Sequence, residues 1–269
     1  MVLETVLFER DGPVGIIRLN RPERMNAVIE QMYLDLQAVL DRVLEDRSLR
    51  AVILTGTVWK RPDGDKQAFC AGADLKKHSA GERSPWQRRE YILLAHETTR
   101  RIYGFPKPVI VAVNGPARGA GAEMALNGDF LIMAHSATIG FPETGLGTFV
   151  GGGVTFHLPG MVGLMKAKEL VYTGRILTGR EAVDLGMALR SVPLEDLMPE
   201  ALALAWEVAE KAPISIGFAK KLMQEAPHRD LDTVLLAESE AILACMNTED
   251  WREGIRSFAE KRKPEFRGK

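Results

Sequence analysis

The segment Asn114–Leu126, NGPARGAGAEMAL, holds one acid, Glu123, within a run of small and apolar residues. Small residues let another molecule come close to the backbone, and a carboxylate among apolar neighbours is costly unless it has a function. Such a carboxyl group is suited to donating or accepting a proton during a reaction. The alternative interpretation is a solvated helix residue beside a tight turn. These residues alone leave both interpretations open.

Two segments of the sequence are predicted to present unpaired backbone N–H groups that can bind a ligand. Ala68–Lys76, AFCAGADLK, combines the small residues Ala71-Gly72-Ala73 with Asp74, which is placed to cap a following helix. The glycine-rich turn near Gly119–Gly121 also leads into a helix. Such turns leave N–H groups without partners, and these groups can hold an anion or a polarised carbonyl oxygen. A plain loop-to-helix junction explains the same residues without a ligand.

A second acid, Glu143, follows Pro142 in the segment Ile139–Gly147, IGFPETGLG. A type I turn with a solvated glutamate is the simpler interpretation of this segment. The triple glycine Gly151-Gly152-Gly153 precedes VTFHL and predicts another tight turn into a helix. It serves either as a steric device or as a set of amides that face a bound group.

Several common catalytic motifs are absent from the sequence. The dinucleotide fingerprint G-x-G-x-x-G and the phosphate loop G-x-x-x-x-G-K-[ST] do not occur, which removes the main support for NAD or ATP binding. The nucleophile motif G-x-S-x-G is also missing, which disfavours an α/β-hydrolase. The five histidines show no metal-ligand spacing with cysteine or acidic residues, so we expect no metal site.

The elements that must position these residues follow from the apolar pattern. An amphipathic helix is predicted from Ile29, and another helix around Trp86–Ile102. Five apolar runs predict strands, the first two forming a hairpin and the others buried and parallel: Val6–Glu9, Gly15–Leu19, Ala51–Thr55, Val109–Val113 and Phe130–Ala134. Strands that alternate with helices indicate βαβ units and an α/β fold.

The C-terminal part of the chain has a different pattern. From about Pro199 the strand pattern ends, and four helical segments follow, broken at Pro213, Pro227 and Asn247. We therefore expect two domains, an α/β core over residues 1–198 and a helical region over residues 199–269.

Composition and charge limit the possible partners. The 269 residues are 46% apolar, and 35 basic residues balance 36 acidic ones, which argues against a nucleic-acid or membrane-surface partner. No apolar run is long enough to span a bilayer, and the N-terminal stretch lacks the pattern of a signal or transit peptide. Cys70 and Cys245 lie far apart and are expected to be free thiols, so we expect a cytoplasmic location.

Taken in this order, the segments resemble the enoyl-CoA hydratase/isomerase (crotonase) superfamily over nearly the whole chain. The resemblance rests on LNRPERMNA, AVILTG, AFCAGADL, KPVIVAVNGPARGAGAEMAL, FPETGLG, VYTGRILTGREAVDLGM and EDWREGIRSFAEKRKPEF. It implies a ClpP/crotonase-like spiral of ββα turns with two nearly perpendicular sheets. It also implies that residues 1–198 carry the CoA site and the active site. The helices of residues 199–269 would cover the active site and join chains into trimers, which commonly pair into hexamers.

The resemblance further implies that the substrate is an acyl-CoA thioester, with no cofactor besides the CoA of the substrate itself. The thioester oxygen would lie between the N–H groups of Ala73 and Ala120. Ala120 stands where the family usually has glycine, and alanine keeps the N–H donor. Preorganised donors of this kind are worth about 3–4 kcal/mol each, because they stand where negative charge develops.

Glu123 and Glu143 match the two glutamates of the hydratases, which add water at C3 and a proton at C2 of a 2-enoyl thioester during fatty-acid or related acyl-CoA degradation. We expect Glu123 to activate the water and Glu143 to deliver the proton. Two such carboxyls must differ in protonation state, and the pair can titrate as a unit.

Contacts with CoA are inferred from the same resemblance. Lys261 lies in the basic run Lys261–Lys263, which a solvated helix end also explains. The residues expected to bind the substrate or its CoA are Arg24, Ala71, Gly72, Ala73, Asp74, Leu75, Lys76, Gly119 and Lys261.

Two departures from the family pattern concern the acyl group. The family usually has GGTQRL where this chain has GGVTFHL, Gly152–Leu158, so Phe156 and His157 are unusual. The stretch Asp74–Tyr103 is also a few residues longer than usual. Both departures indicate a substrate other than a simple straight-chain enoyl-CoA.

Four functions remain open at this point, with a hydratase in the lead. A double-bond isomerase needs only one well-placed acid, so two acids argue against it. A thioester hydrolase or a ring-opening enzyme would aim the water at a different carbon. A catalytically silent module that binds RNA or protein is disfavoured by the neutral charge and by the presence of both acids and both donor positions.

Overall fold

The computed structural model describes residues 3–79 and 83–269 of the chain. Met1 and Val2 of the N-terminal stretch, and residues 80–82 of the long segment Asp74–Tyr103, lie outside the described residues. Across the described ranges, strands and helices alternate up to residue 192 and only helices follow.

In chain order the elements are β1 (Val6–Asp11), β2 (Val14–Leu19), α1 (Glu30–Glu45), β3 (Ala51–Gly56), α2 (Leu75–Ser79), α3 (Pro85–Tyr103), β4 (Val109–Val113), β5 (Ala117–Arg118), α4 (Ala120–Leu126), β6 (Phe130–Ala134), β7 (Thr138–Gly140), α5 (Val154–Val162), α6 (Leu164–Thr173), β8 (Leu177–Thr178), α7 (Gly179–Asp184), β9 (Arg190–Val192), α8 (Leu197–Ala209), α9 (Pro213–Glu225), α10 (Leu231–Met246) and α11 (Glu249–Ala259). Two 3-10 turns matter for the site, Pro22–Arg24 and Glu143–Leu146.

The larger sheet has the strand order β1-β2-β3-β4-β6-β9. Its first pair is the predicted antiparallel hairpin, and all later neighbours are parallel. Strands β3 and β4 are buried along their whole length, as continuous apolar runs in a parallel sheet require. The five predicted strands, the helix after Ile29 and the helix around Trp86–Ile102 are confirmed, and so is the α/β fold class.

The structure has a second, smaller sheet in the order β5-β7-β8; the resemblance implies a second sheet, but the apolar pattern did not identify these strands. Its strands contain two or three residues each, too few to show an alternating apolar pattern. Strand β5 runs parallel to β7, with Ala117 beside Ile139 and Arg118 beside Gly140.

The segment that precedes α2 continues this pairing on the other side of β5. Cys70 forms a parallel bridge with Ala117, through a Cys70 N–H to Pro116 hydrogen bond of 3.1 Å and an Arg118 N–H to Cys70 hydrogen bond of 3.0 Å. Cys70, Ala117 and Ile139 therefore lie side by side, and their three segments leave the sheet at the same edge. The two glycine-containing turns and the Pro142-Glu143 turn meet there.

The helices after residue 196 confirm the predicted helical C-terminal region. Helix α8 buries Leu197, Ala201, Leu204 and Ala205 and packs against strands of the larger sheet. Helices α9 to α11 follow it. The division into domains 1–198 and 199–269 stays a prediction. Helix α8, which begins just before that boundary, belongs to the layer that covers the larger sheet.

Helix α4 approaches the Ala68–Asp74 segment so closely that Gly121 has no room for a side chain. A Cβ added there would overlap the carbonyl oxygen of Cys70. We predict that Gly121→Ala lowers the free energy of unfolding by about 3 kcal/mol, because the overlapping atom belongs to a paired backbone segment and cannot move aside. Urea denaturation at fixed protein concentration measures this change.

Gly160→Ala in α5 is the matched control for this prediction. A Cβ at Gly160 meets no atom within 4 Å, and alanine favours a helix over glycine by about 0.5–1 kcal/mol. The control should be neutral or slightly stabilising. Equal stabilities for the two variants would contradict the close approach of α4.

Candidate active site

The N–H group of Ala73 is held in place by its two neighbours. Val28 donates its N–H to the Gly72 oxygen at 2.8 Å and accepts the Asp74 N–H at 3.0 Å. This parallel bridge pins the peptide on each side of Ala73. Among the described residues, no acceptor takes the N–H of Ala73.

The N–H group of Ala120 is unpaired for a different reason. Ala120 is the first residue of α4, and the first N–H groups of a helix have no intrahelical acceptor. No hydrogen bond from Ala120 N–H to any described residue is found. A Cβ built on Gly72 would lie 2.8 Å from the Arg118 oxygen and 3.8 Å from Ala120 N. The segments that carry the two free donors are therefore neighbours.

Asp74 stabilises the first donor segment in a way that the sequence did not reveal. Its Oδ1 accepts the Lys77 N–H at 3.3 Å, which is the predicted helix cap. Its Oδ2 lies 3.1 Å from both Nη1 and Nη2 of Arg21, and Arg21 Nη1 also donates to the Ala27 oxygen at 2.6 Å. Although burial acts in the opposite direction, the Lys77 N–H and the Arg21 guanidinium lower the pKa of Asp74.

Glu123 lies one turn into α4 and is only 9% exposed. Its Oε1 accepts the Gly151 N–H at 2.7 Å. Burial raises the pKa of Glu123 to about 7; the Gly151 donor opposes this shift, and the charge of Glu143 adds to it. Burial thus favours the protonated form of this carboxyl group more than it would be favoured in a solvated glutamate.

Glu143 begins the 3-10 turn after β7 and is 8% exposed. The carboxyl group is therefore buried, and the interpretation of Glu143 as a solvated glutamate is wrong. Its Oε1 would lie 2.6 Å from a Cβ on Gly119, a residue with φ +48°, and its Oε2 is buried without a hydrogen-bond partner among the described residues. Burial raises the pKa of Glu143, against the influence of its own backbone N–H.

The two carboxyls differ in what surrounds them. Both are buried to a similar extent, and Glu123 accepts the N–H of Gly151, whereas Oε2 of Glu143 has no hydrogen-bond partner among the described residues. A donor stabilises the charged form of a carboxyl group, whereas an oxygen without a partner is better tolerated when the group is protonated. The hydrogen bonds therefore favour a charged Glu123 beside a protonated Glu143, and the burial of Glu123 works against this arrangement.

Asn127 and His157 join the site through hydrogen bonds that sequence reasoning missed. Asn127 Nδ2 donates to two backbone carbonyl oxygens, that of Glu123 at 2.7 Å and that of Gly152 at 2.6 Å. His157 Nε2 lies 3.1 Å from Asn127 Oδ1. The sequence indicated no functional role for Asn127 and showed His157 only as a departure from the family pattern.

The residues expected to bind CoA fall into two groups. The first group, Ala71 to Asp74 and Gly119, lies at the edge where the two donors meet, with Leu75 and Lys76 exposed at the start of α2. Arg24 is exposed in the nearby 3-10 turn, and its charge helps to lower the pKa of Asp74. Lys261 lies beyond the end of α11, exposed and with φ +55°. No ion pair of Lys261 is found in the described part of the chain.

Two other kinds of site were searched for within residues 3–79 and 83–269. No group of three or more His, Cys, Asp or Glu side chains there is arranged to hold a metal ion. No described helix has both the length and the apolar character needed to cross a membrane.

Known proteins are similar to this chain over nearly its whole length. The family described as enoyl-CoA hydratase/isomerase matches residues 9–269. The crotonyl-CoA hydratase of Syntrophomonas wolfei is 35% identical over 266 residues, which cover 99% of this chain and 99% of that protein. The short-chain-enoyl-CoA hydratase of Clostridium acetobutylicum is 35% identical over 265 residues and 98% of each chain.

The solved structure of an enoyl-CoA hydratase from Bacillus anthracis superposes with a TM-score of 0.92, at 35% identity, over 99% of this chain and all of that one. The family match covers most of the chain, and the relatives align along their full length with the same fold. The chain belongs to the enoyl-CoA hydratase/isomerase (crotonase) family.

Proposed function

We propose that the protein is an enoyl-CoA hydratase, which adds water reversibly and in the syn sense across the 2,3 double bond of an enoyl-CoA thioester. The observation that carries the proposal is the meeting of two buried carboxyls, Glu123 and Glu143, with two unpaired backbone donors, Ala73 and Ala120. Relatives named as hydratases support it.

In the proposed reaction the thioester oxygen accepts the N–H groups of Ala73 and Ala120. Glu123 takes a proton from a water molecule as the water oxygen bonds to C3, and negative charge moves to the thioester oxygen between the two donors. Glu143 then gives its proton to C2. The product is a 3-hydroxyacyl thioester, and the same steps in reverse remove water.

The rest of the substrate is proposed to lie along the Ala71–Lys76 segment, with Arg24 and Lys261 as partners for CoA phosphates. A guanidinium or ammonium group is a suitable partner for phosphate oxygens. The chemistry uses only the two carboxyls, the two amides and water, so we propose that no cofactor takes part. Degradation of fatty acids or related acyl-CoA compounds in the cytoplasm is the proposed context.

A trimer, or a hexamer formed by two trimers, is the proposed assembly. The C-terminal helices expose several large apolar side chains, which a neighbouring subunit would cover: Leu235, Leu236, Ile242, Leu243, Ile255 and Phe258. Light scattering that gives the mass of one chain at working concentration would contradict this assembly.

The first prediction from these roles concerns turnover of crotonyl-CoA. Glu123→Gln and Glu143→Gln should each lower kcat by about 10²–10⁴-fold, because an amide of the same shape neither accepts nor delivers the proton. Loss of the conjugated-thioester absorbance measures the rate. Glu207→Gln, which changes an exposed residue of α8, should keep the wild-type rate. Equal low rates in the wild type and both site variants would contradict the proposed function.

The second prediction concerns stability against pH. The pKa of Glu123 rises from an ordinary value of 4.5 to about 7 on folding, so the folded protein holds a proton that the unfolded chain has lost. Stability therefore falls as the pH rises from 4.5 to 7 and stays low above it. At pH 8, Glu123→Gln should be more stable than the wild type by about 3 kcal/mol, and near pH 4.5 the difference should vanish.

Urea denaturation at the two pH values, with the protein concentration held constant, measures the effect. The exposed-residue variant Glu207→Gln is again the control and should follow the wild type at both values. A Glu123→Gln variant that is no more stable than the wild type at pH 8 would show that Glu123 carries no burial cost.

A further inference from the structure

Two side chains connect the triple-glycine turn to α4, the Glu123 carboxylate, which accepts the Gly151 N–H, and the Asn127 amide. Val154 N–H bonds the Gly151 oxygen at 3.0 Å, and the N–H groups of Phe156 and His157 bond the Gly153 oxygen at 2.9 Å. The Gly152 oxygen, between them, accepts instead from Asn127 Nδ2. Asn127 therefore connects the turn to the helix that carries Glu123.

The same side chain also completes the end of α4. The N–H of Asn127 bonds the Met124 oxygen at 3.2 Å, which leaves the Glu123 carbonyl without its usual partner from the helix. The second hydrogen of Asn127 Nδ2 reaches that carbonyl at 2.7 Å. The Asn127 amide thus spans the backbone of Glu123 on one side and the backbone of Gly152 on the other.

This arrangement determines the orientation of the amide and the tautomer of His157. Both neighbours of Asn127 Nδ2 are carbonyl oxygens, so a reversed amide would bring oxygen against oxygen. Asn127 Oδ1 must therefore face His157, and the bond between them requires a hydrogen on Nε2 of the imidazole. Burial lowers the pKa of His157, so the neutral ring with a hydrogen on Nε2 is the form present near neutral pH.

We propose that His157, acting through Asn127, is a positioning residue that holds the Gly151 N–H on the carboxylate of Glu123. The effect on turnover rests on the proposed hydratase function, whereas the effect on Glu123 itself does not. The chain of contacts runs from the His157 ring to the Asn127 amide, to Gly152 and then to the adjacent Gly151, whose N–H reaches Glu123 Oε1.

The triple-glycine turn needs a hydrogen bond of this kind to fix its conformation, because glycine residues allow the backbone many conformations. Gly152 and Gly153 have φ of +56° and +83°, and a Cβ on Gly152 would lie 2.6 Å from Glu123 Cβ. Glycine is therefore required for the turn to lie against Glu123, yet three glycines in a row do little to hold one conformation. The Asn127 bond supplies the restraint that the sequence of the turn lacks.

Several other titratable groups lie near Glu123. A Cβ on Gly151 would lie 3.2 Å from His96 Nε2 of α3 and 3.3 Å from Glu123 Oε2, so His96 faces the same carboxyl. Tyr33 and Tyr91 approach from α1 and α3. The titratable groups near Glu123 are Tyr33, Cys70, Tyr91, His96 and Glu143, and His157 is connected to it through Asn127.

His157 makes both ring contacts and a hydrogen bond, and suitable replacements can test the hydrogen bond separately. Its ring lies 4.7 Å from the Tyr103 ring and 5.0 Å from the Phe156 ring, between centroids. His157→Gln keeps an N–H donor at the position of Nε2, whereas the side chain of His157→Asn is too short to reach Asn127. Both replacements are amides that lose the aromatic contacts, so they form a matched pair that differs in the hydrogen bond.

The test measures the titration of Glu123 directly. Carbon-13 NMR of protein labelled at the glutamate carboxyl carbons follows each ionisation, and the Glu123 signal is the one absent in Glu123→Gln. In His157→Asn the midpoint should move up by about one pH unit, because the lost N–H donor had stabilised the charged form. His157→Gln should return it to the wild-type value, and Phe156→Leu should leave it unchanged.

Kinetics on crotonyl-CoA provide the second readout. His157→Asn should lower kcat about tenfold with KM changed less than twofold, and His157→Gln should recover most of the loss. A Glu123 midpoint that is the same in folded His157→Asn as in the wild type, or His157→Gln behaving like His157→Asn, would overturn the proposal. If the wild type hydrates no enoyl-CoA, the proposed function fails, and the NMR titration still decides whether His157 positions Glu123.

Discussion

Cys70, Ala117 and Ile139 lie side by side in parallel backbone pairing, and the position of every group in the site depends on this register. Each segment runs three or four residues beyond its pairing before it reaches the site, to Ala73, to Ala120 and to Glu143. Parallel segments leave a sheet at the same edge, so one register brings together two unpaired N–H groups and one acid. Glu123 then follows one turn into the helix that starts at Ala120.

The small residues around this edge are needed for space. Gly119 lies against the Glu143 carboxyl, and Gly121 against the Cys70 carbonyl, with no room for a side chain at either place. The same close packing excludes water from the two acids, which raises both pKa values. Burial of this kind destabilises the folded chain and at the same time sets the carboxyls near the protonation state that proton transfer requires.

The sequence predicted the parts of the fold that have long, regular patterns. The buried strands and the amphipathic helix after Ile29 carry enough apolar residues for their type to be recognised, and the family resemblance pointed to Glu123 and Glu143. The resemblance implied a second sheet, but the positions of its strands could not be predicted, because they are too short to show a period. The Arg21–Asp74 and Asn127–His157 contacts could not be predicted either, because they join residues that are 53 and 30 positions apart and depend on the packing of whole segments.

A crystal structure with bound butyryl-CoA would show whether the N–H groups of Ala73 and Ala120 hold one thioester oxygen between them. This saturated thioester keeps the carbonyl group and has no double bond to hydrate. We expect its carbonyl oxygen within hydrogen-bond distance of both nitrogens, about 2.7–3.2 Å, with C3 facing Glu123. A thioester oxygen bound away from either nitrogen, in a site otherwise filled by the acyl chain, would contradict this expectation.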